Sequence, residues 1–574
     1  MLTVFALEAH MKRLYSLAIA AVICLAFVTA TPNVFAQATF GNISGTVTDP
    51  AGAAIPNAQV SVTDTERGTT YQTTTNTSGN YTQTHLLPGQ YKIVVTAPGF
   101  AEFNANAAVQ VDATTRADAQ MQIGQAATQV TVTGDSPLLK SDRADVSTTI
   151  TGPELGKLPI LDRNVTSLLV SLPGAGRFPT NSGMSSAENQ QGDIQTPMNG
   201  QLPYSNGFLL DGTENHSNIL GLAVVNPNPD ALEEFKVTSS NYDAEFGNVS
   251  GAMLQGTTKS GTNQYHGSAF EYLRNNVFNA ADPFSHIDPP IRWNQFGGTI
   301  GGPIKKDKLF VFFAYEGTRR RDSGSEITTV PTAAERSGDL SALLGAYICA
   351  DGTTSATGCA NPVKVTTTGG QTVAAQAGMV FDPRTGNPDG SGRQVVATNG
   401  QVNVLTPAAP MAKLLTYLPM PNFGPAGQTF NNYATAVGRL NDAGQYDGRI
   451  DYNISANHHI FGRYSLADFV LEGPGAFGAL AGGPSPLGFA GNSHARNQSL
   501  ALGYTYSMTS TLFADFRFGY YRYRPHNLPN GFGQTPALDA GLLGLNTGTP
   551  ETGGMPAFYV QGAVAFNFGY ALGV

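Results

Sequence analysis

The stretch GAMLQGTTKSG, residues 251–261, sets two glycines, a lysine and a serine close enough together to suggest a phosphate cradle. A nucleotide-binding loop needs its lysine directly after the second glycine, because the backbone must wrap the phosphates before a helix begins. Here Thr257 and Thr258 separate Gly256 from Lys259, and the following SGTNQYHGSAF carries turn residues and an aromatic strand instead of a helix. The spacing argues against nucleotide chemistry. None of the nine histidines opens an H-E-x-x-H or H-x-x-E pair, so zinc-peptidase chemistry lacks its ligands as well. No catalytic residue, metal ligand or cofactor is expected, and the chain reads as something other than an enzyme. Cys349 and Cys359, in CADGTTSATGC, either close a surface loop as a disulfide or stand as two free thiols.

Residues 11–37, MKRLYSLAIAAVICLAFVTATPNVFAQ, have a basic start, an apolar run and small residues before a break between Ala36 and Gln37. This is the pattern of an export signal, residues 1–36, with 1–10 an upstream extension before Met11. Export to an oxidising compartment favours the disulfide. Past the leader no apolar run reaches the roughly eighteen residues of a membrane helix. A mature chain that enters a membrane must therefore do so as a closed barrel. The composition agrees: among 574 residues are 66 Gly, 31 Phe and 22 Tyr but a single Trp, and only 13% are charged, which favours β-structure. A net charge of −9 argues against nucleic acid as a partner, since phosphate backbones are bound by clustered Lys and Arg. GTRRRD, residues 317–322, is the only dense basic run and reads as a solvated strand end.

The elements that would position any site fall into three regions. Residues 37–126 hold short alternating runs such as ISGTVTD, AQVSVTDT and YKIVVTA, separated by PAGAAIPN, TSGN and LPGQ. Turn signals at that spacing indicate a β-sandwich. Asp49 and Asp64 read as turn residues. GTVTDPAGAAIPNAQVSV and TNTSGNYTQTHLLPGQYKIVVTAPGF resemble the carboxypeptidase regulatory-like domain, which implies a transthyretin-like sandwich of starch-binding-like topology.

Residues 127–142 form a linker that contains the β-prone run Gln129, Val130, Thr131, Val132 and Thr133. This run either supplies the last strand of the sandwich or, as it resembles a TonB box, pairs by strand addition with a TonB-type energy-coupling protein. In residues 143–264, TGPELGKLP and NVTSLLVSLPG suggest short helices and ALEEFKVTSS a helix start and a strand. NGFLLDG, PDALEEFKV, NYDAEFG and GTTKSGTNQYHGSAFEYLRN resemble the α+β plug of TonB-dependent receptors. By that resemblance Gly247, Gly251, Gly256 and Gly261 serve close-packed turns and strands inside a barrel. Asp211, Glu214, Asn215 and His216 lie in a polar stretch that either faces ligand or forms a solvated loop.

From 265 to 574 the chain alternates. In YDGRIDYNI, Tyr446, Ile450, Tyr452 and Ile454 share one face and Asp447, Arg449, Asp451 and Asn453 the other. In QSLALGYTY, Leu500, Leu502, Tyr504 and Tyr506 oppose Ser499, Ala501, Gly503 and Thr505. An apolar face backed by charge suits lipid outside and water inside a transmembrane antiparallel β-barrel. The long insert 319–440 is expected to be an external loop; its VPTAAERSGDLS, FDPRTGNP and YLPMPNFGPAGQTFNNY resemble Oar-like TonB-dependent receptors. That resemblance implies an outer-membrane location, contact with membrane lipid, periplasmic sandwich and plug, and energy-coupled uptake of an unidentified extracellular ligand, a glycan or peptide. The alternative is a surface adhesion or protein-export role. Such barrels close with about 22 strands, far more than fit here, and FNFGYALGV lacks a terminal aromatic, so a fragment holding the first barrel strands is expected.

Overall fold

The computed structural model describes residues 40–124, 130–133, 144–158, 160, 163–176, 195–218, 221–243, 245–281, 288, 290–485, 490–509, 512–560 and 566–569. The expected leader, with Ala36 and Gln37, lies outside them, as does Gln129. The chain is mainly β.

The first region is a two-sheet sandwich. β1 (Gly41–Thr48) lies between β4 (Asn80–Leu86) and β7 (Thr114–Arg116), with β8 (Ala119–Gln120) also on β1; the facing sheet runs β3 (Thr70–Thr74), β2 (Gln59–Asp64), β5 (Gly89–Thr96), β6 (Phe103–Val109) and β9 (Val130–Thr133). Alternate residues Ile43, Val47, Val60, Val62, Tyr91, Ile93 and Val95 fill the space between the sheets. Such a core follows from the period of two, because every second side chain of a strand points the same way. Asp49 and Asp64 are held in turns, each accepting two main-chain N–H groups. β9 was the ambiguous linker run. It pairs in parallel with β6, from Phe103 opposite Val130 to Asn106 opposite Thr133, so the sandwich extends past residue 126.

The second region is a five-stranded sheet in the order β10 (Val146–Thr151), β15 (Leu232–Ser240), β16 (Met253–Thr258), β11 (Gly207–Leu210) and β12 (Thr213–Glu214). A short hairpin, β13 (His216–Ser217) and β14 (Leu222–Ala223), lies beside it. The expected first helix is a single turn, Gly152–Leu155, where the Thr151 N–H and hydroxyl both donate to Glu154 at 2.9 Å. The second is a 3-10 helix, Val165–Ser171, capped by Asn164. Leu155, Val165, Leu169, Phe235, Val237 and Leu254 form the core of this unit.

The third region is one long antiparallel sheet: β17 (His266–Asn275), β18 (Ile291–Lys305), β19 (Leu309–Thr328), β26 (Tyr433–Ser455), β27 (His458–Gly473), β28 (Gly491–Ser507) and β29 (Phe513–Arg522), with β30 (Pro525–Leu528) also on β28. Its labels skip three small hairpins of the insert, β20 (Tyr347–Ile348) with β21 (Thr354–Ser355), β22 (Lys364–Thr366) with β23 (Thr372–Ala374), and β24 (Ala397–Thr398) with β25 (Gln401–Val402). Short turns join β18 to β19 and β26 to β27 at one end, and the long connections lie at the other.

Two sequence expectations change here. The insert is 329–432, not 319–440, because β19 and β26 stay in register from Leu309 opposite Tyr452 to Thr328 opposite Tyr433. At about 3.4 Å per residue that ladder is much longer than an apolar band of roughly 25 Å. Strand pairing needs only backbone groups, so the polar RRRDSGSEIT continues the hairpin beyond any membrane. The inward face, expected to meet water, instead packs on the second region: Ser499 and Ala501 are fully buried, and Asn497 donates to the Val224 carbonyl at 3.0 Å.

Candidate functional site

Inward positions of the large sheet carry charge that a solvated strand would not need. Asp211 ends β11 in a left-handed conformation, with φ of 50°. There it reaches across to the sheet. Its Oδ1 accepts from Arg449 at 3.0 Å and its Oδ2 from Arg463 Nε at 3.0 Å, while the Thr258 N–H and hydroxyl donate to it at 2.9 Å. Arg449 then grips Asp451 through two bonds of 2.9 Å, and Ser260 Oγ donates to Asp451 at 2.6 Å. Arg463 also donates to Ser499 Oγ at 2.8 Å. Every charged member of this cluster is buried. Planar guanidinium forks suit such sharing, since their five donors can serve several acceptors at fixed angles.

A second clasp lies further round. Arg163, with φ of 53°, donates to Glu316 of β19 at 3.1 Å, to Asp230 at 2.7 Å and to Asn228 at 2.8 Å. Its guanidinium also sits 4.2 Å over Phe270 and 5.1 Å over Tyr272 of β17, a cation–π arrangement. The five-stranded unit is thus held against the sheet by these polar and ionic bonds together with two small apolar contacts, Val224 and Val225 on Ala467 and Ala231 on Phe312 and Ala314.

Asp211, Glu214, Asn215 and His216 are placed in different surroundings. Asp211 is committed to the two arginines, Asn215 is buried and exchanges two hydrogen bonds with the Val225 backbone, and His216 is buried beside Phe208. The Glu214 side chain alone is half exposed. Arg163, Glu316 and Arg463 were missed by sequence reasoning. The available signal was parity: an arginine or carboxylate at an inward position of a strand whose other face is apolar.

A Cβ on Gly261 would stand 2.5 Å from the carbonyl oxygens of both Gly302 and Val311. The glycine allows the segment after β16 to approach the backbone of β18 and β19.

At the long-loop end is a cavity of about 900 Å3, bordered by Asp322, Arg439, Arg321, Glu472, Asn492 and Asn530. Arg439 and Asp322 are doubly bonded, at 3.0 and 2.7 Å, and Arg321 is doubly bonded to Asp442, at 2.6 and 2.8 Å. Above it the insert, the loop after β27 and the segment after β30 share an apolar core that includes Val330, Leu414, Phe477, Ala540 and Phe568. The VPTAAERSGDLS motif builds this roof: Thr332 caps a helical turn, and Arg336 donates to the carbonyls of Leu415, Leu418 and Pro419. A disulfide joins Cys349 and Cys359 in the insert.

At the short-turn end the sandwich meets the five-stranded unit. The Lys236 ammonium lies 2.7 Å from Asp112, and the Val111 N–H donates to Glu234. Asp112, Asp243 and Glu245 bring carboxylate oxygens within 4.8 Å of one another, and Lys236 supplies a countercharge there. Burial pushes the Glu234 carboxyl up to about 8, although the Val111 amide and Lys236 pull it down.

A sheet with an apolar outer and a charged inner face, curved over an internal unit held by polar bonds, is the arrangement of an outer-membrane barrel wall packed on a plug. The chain belongs to the family described as Outer membrane beta barrel domain, which matches residues 257–573, more than half of it. A Carboxypeptidase regulatory-like domain matches residues 42–122. The chain is 28% identical over 300 residues to the TonB-dependent transporter Oar of Myxococcus xanthus, covering 49% of this chain and 27% of Oar. The barrel family locates it at the outer membrane, and over about half its length it is similar to a TonB-dependent transporter of the Oar kind. Among solved structures it is similar to the outer membrane transporter YddB from Escherichia coli, at 13% identity and a TM-score of 0.30, covering 62% of this chain and 36% of that one. It is also similar to a variant of the ferric enterobactin receptor from Pseudomonas aeruginosa, at 11% identity and a TM-score of 0.29, covering 63% and 40%. The chain spans 27% of the length of Oar and 36% and 40% of the two solved transporters named here.

Proposed function

We propose that the protein takes part in energy-coupled uptake across the outer membrane, with no covalent chemistry of its own. The observation that carries this reading is the plug's attachment. Buried clasps from Asp211 to Arg449 and Arg463, and from Arg163 to Glu316, hold a separate folded unit inside the sheet without a large shared apolar core. Polar attachments of this kind can be exchanged for water when the unit is pulled, whereas an apolar seam would expose hydrocarbon. The cavity under the loop roof has ion pairs and amides set among apolar residues such as Ile291 and Leu440, a mixed wall that suits a glycan or peptide offering both hydrogen-bonding and apolar surface.

The pull would come from a TonB-type partner through strand addition at Val130–Thr133. In the resting arrangement that run already pairs with β6, so the partner would have to extend or replace this edge. Proline at Val130 removes a ladder donor. In the protein as expressed in cells, Val130→Pro should leave cell-surface binding of glycan or peptide mixtures intact and abolish their accumulation. Unchanged accumulation would sink the coupling role. The roofed ectodomain favours a second reading, surface adhesion or protein export, under which binding would occur with no energy-dependent accumulation at all.

A further inference from the structure

The sandwich is not tethered beside the barrel; it is docked at several separated points. On the plug side, β15 alternates its faces: Phe235 and Val237 enter the plug core, while Glu234 and Lys236 point to the sandwich turn at Val111 and Asp112. Lys236 Nζ also donates to the Asp112 carbonyl at 3.0 Å. On the barrel side, the Asn263 N–H donates to the Glu66 carbonyl at 3.0 Å, and Asn453 Nδ2 donates to Thr69 Oγ1 at 3.0 Å. Further round the rim, the His85 ring lies 3.4 Å from that of Phe513, and Arg517 sits 4.9 Å over Phe40. The sandwich thus bridges plug and barrel across the short-turn end.

We propose that the sandwich functions as a plug-retaining latch: docked, it ties β15 to the barrel rim, and it must leave that rim before the plug can rearrange. The proposal rests on the reading of the plug as the moving part. The physical basis is simple. A plug held only by its own clasps opens when those break, but one that also carries a domain bonded to the barrel cannot move until a second set of contacts breaks.

The test uses the full chain in native outer membranes with Thr69→Cys and Asn453→Cys combined, treated with dibromobimane, which fluoresces once it bridges two nearby thiols. The double variant should become fluorescent and each single variant should not; absence of bridging in the double variant overturns the docked arrangement. Hydrogen exchange in β15 and β16 under mild urea should then be about tenfold slower in bridged than in unbridged protein. Equal rates overturn the latch. The single variants, exchanging like the parent, show that neither cysteine disturbs the fold. Lys236→Met, remote from the cysteine pair, should lose bridging, because the docking contacts act together; retained bridging would show that the plug contact is no part of the latch. If the exchange difference holds while no cargo accumulates in cells, the uptake reading fails and the latch stands.

Discussion

The sandwich and the barrel sheet are built from the same alternating pattern and solve opposite problems. In the sandwich, Val60, Val62, Ile93 and Val95 are buried between sheets and the polar partners face water. In the barrel sheet, Ile450 is 53% and Phe516 62% exposed, whereas Asp451 and Arg463 are 1% exposed. One face of each strand must be satisfied by something outside the strand. For the sandwich that something is a second sheet; for the barrel it is lipid on one side and a polar plug on the other. The comparison teaches that period-two alternation identifies a strand but not which of its faces is the inside.

The largest effect expected from breaking this arrangement is at Asp211. Asp211→Ala leaves Arg449 and Arg463 buried without their shared carboxylate, a loss of about 3–5 kcal/mol. Urea titration of purified protein, followed by proteolysis of the plug, should show release at much lower denaturant; an unshifted midpoint would mean the cluster does not hold the plug.

Next in size is the contrast between faces. Leu502→Arg places a cation toward lipid and should cost about 2–4 kcal/mol near the bilayer midplane. Ala501→Arg, next in sequence, should cost at least as much, for it drives a charge into close packing against the plug. Were the inner face open to water, Ala501→Arg would be nearly neutral in the same folding titration; were the outer face in water instead of lipid, cysteine at Phe516 would react with water-soluble labels in intact membranes.

Opening the disulfide should act more locally. Cys349→Ser with Cys359→Ser removes a short closed loop, about 2–3 kcal/mol at most, within the insert. The barrel transition should stay where it is. Parent thiols should resist alkylation until reductant is added, and free labelling without it would refute the bond.

The smallest effect is a pH dependence at the sandwich joint. Glu234 titrates at about 8 in the folded protein, above its ordinary 4.5, so the docked form prefers the proton. Its contribution is complete below about pH 4.5 and is lost as pH rises through about 8. The groups facing it are Val111, Glu233 and Lys236, the last paired with Asp112. Calorimetry should find the parent losing about 2–4 °C in Tm between pH 5 and pH 9 from this group. Glu234→Gln should flatten that part of the dependence, and an identical slope in the variant would remove Glu234 from the joint.

Much of the architecture was legible in the chain because it depends on local rules. The turn residues of TSGN and LPGQ, Thr151 ahead of Pro153, and the Tyr–Ile alternation of 446–454 each act within a few residues. Val130–Thr133 was legible as a strand with two alternative partners, the sandwich or a coupling protein; that it pairs with β6 was not, since edge pairing depends on which neighbour is nearest after folding. The extent of the β19–β26 hairpin was hidden for a related reason: RRRDSGSEIT looks like loop, and only the opposed strand 433–442 makes it ladder.

What the sequence by itself determined is the set of strands, their two-faced character and the family, because periodicity, turn chemistry and motif are carried by consecutive residues. What only the tertiary structure decided is the use of the charges. Asp211 and Arg463 are 252 positions apart, and Asp112 and Lys236 are 124 apart. No local pattern joins such pairs. A buried charge is tolerable only where folding delivers its counterion, and that delivery is a property of the assembled plug, barrel and sandwich.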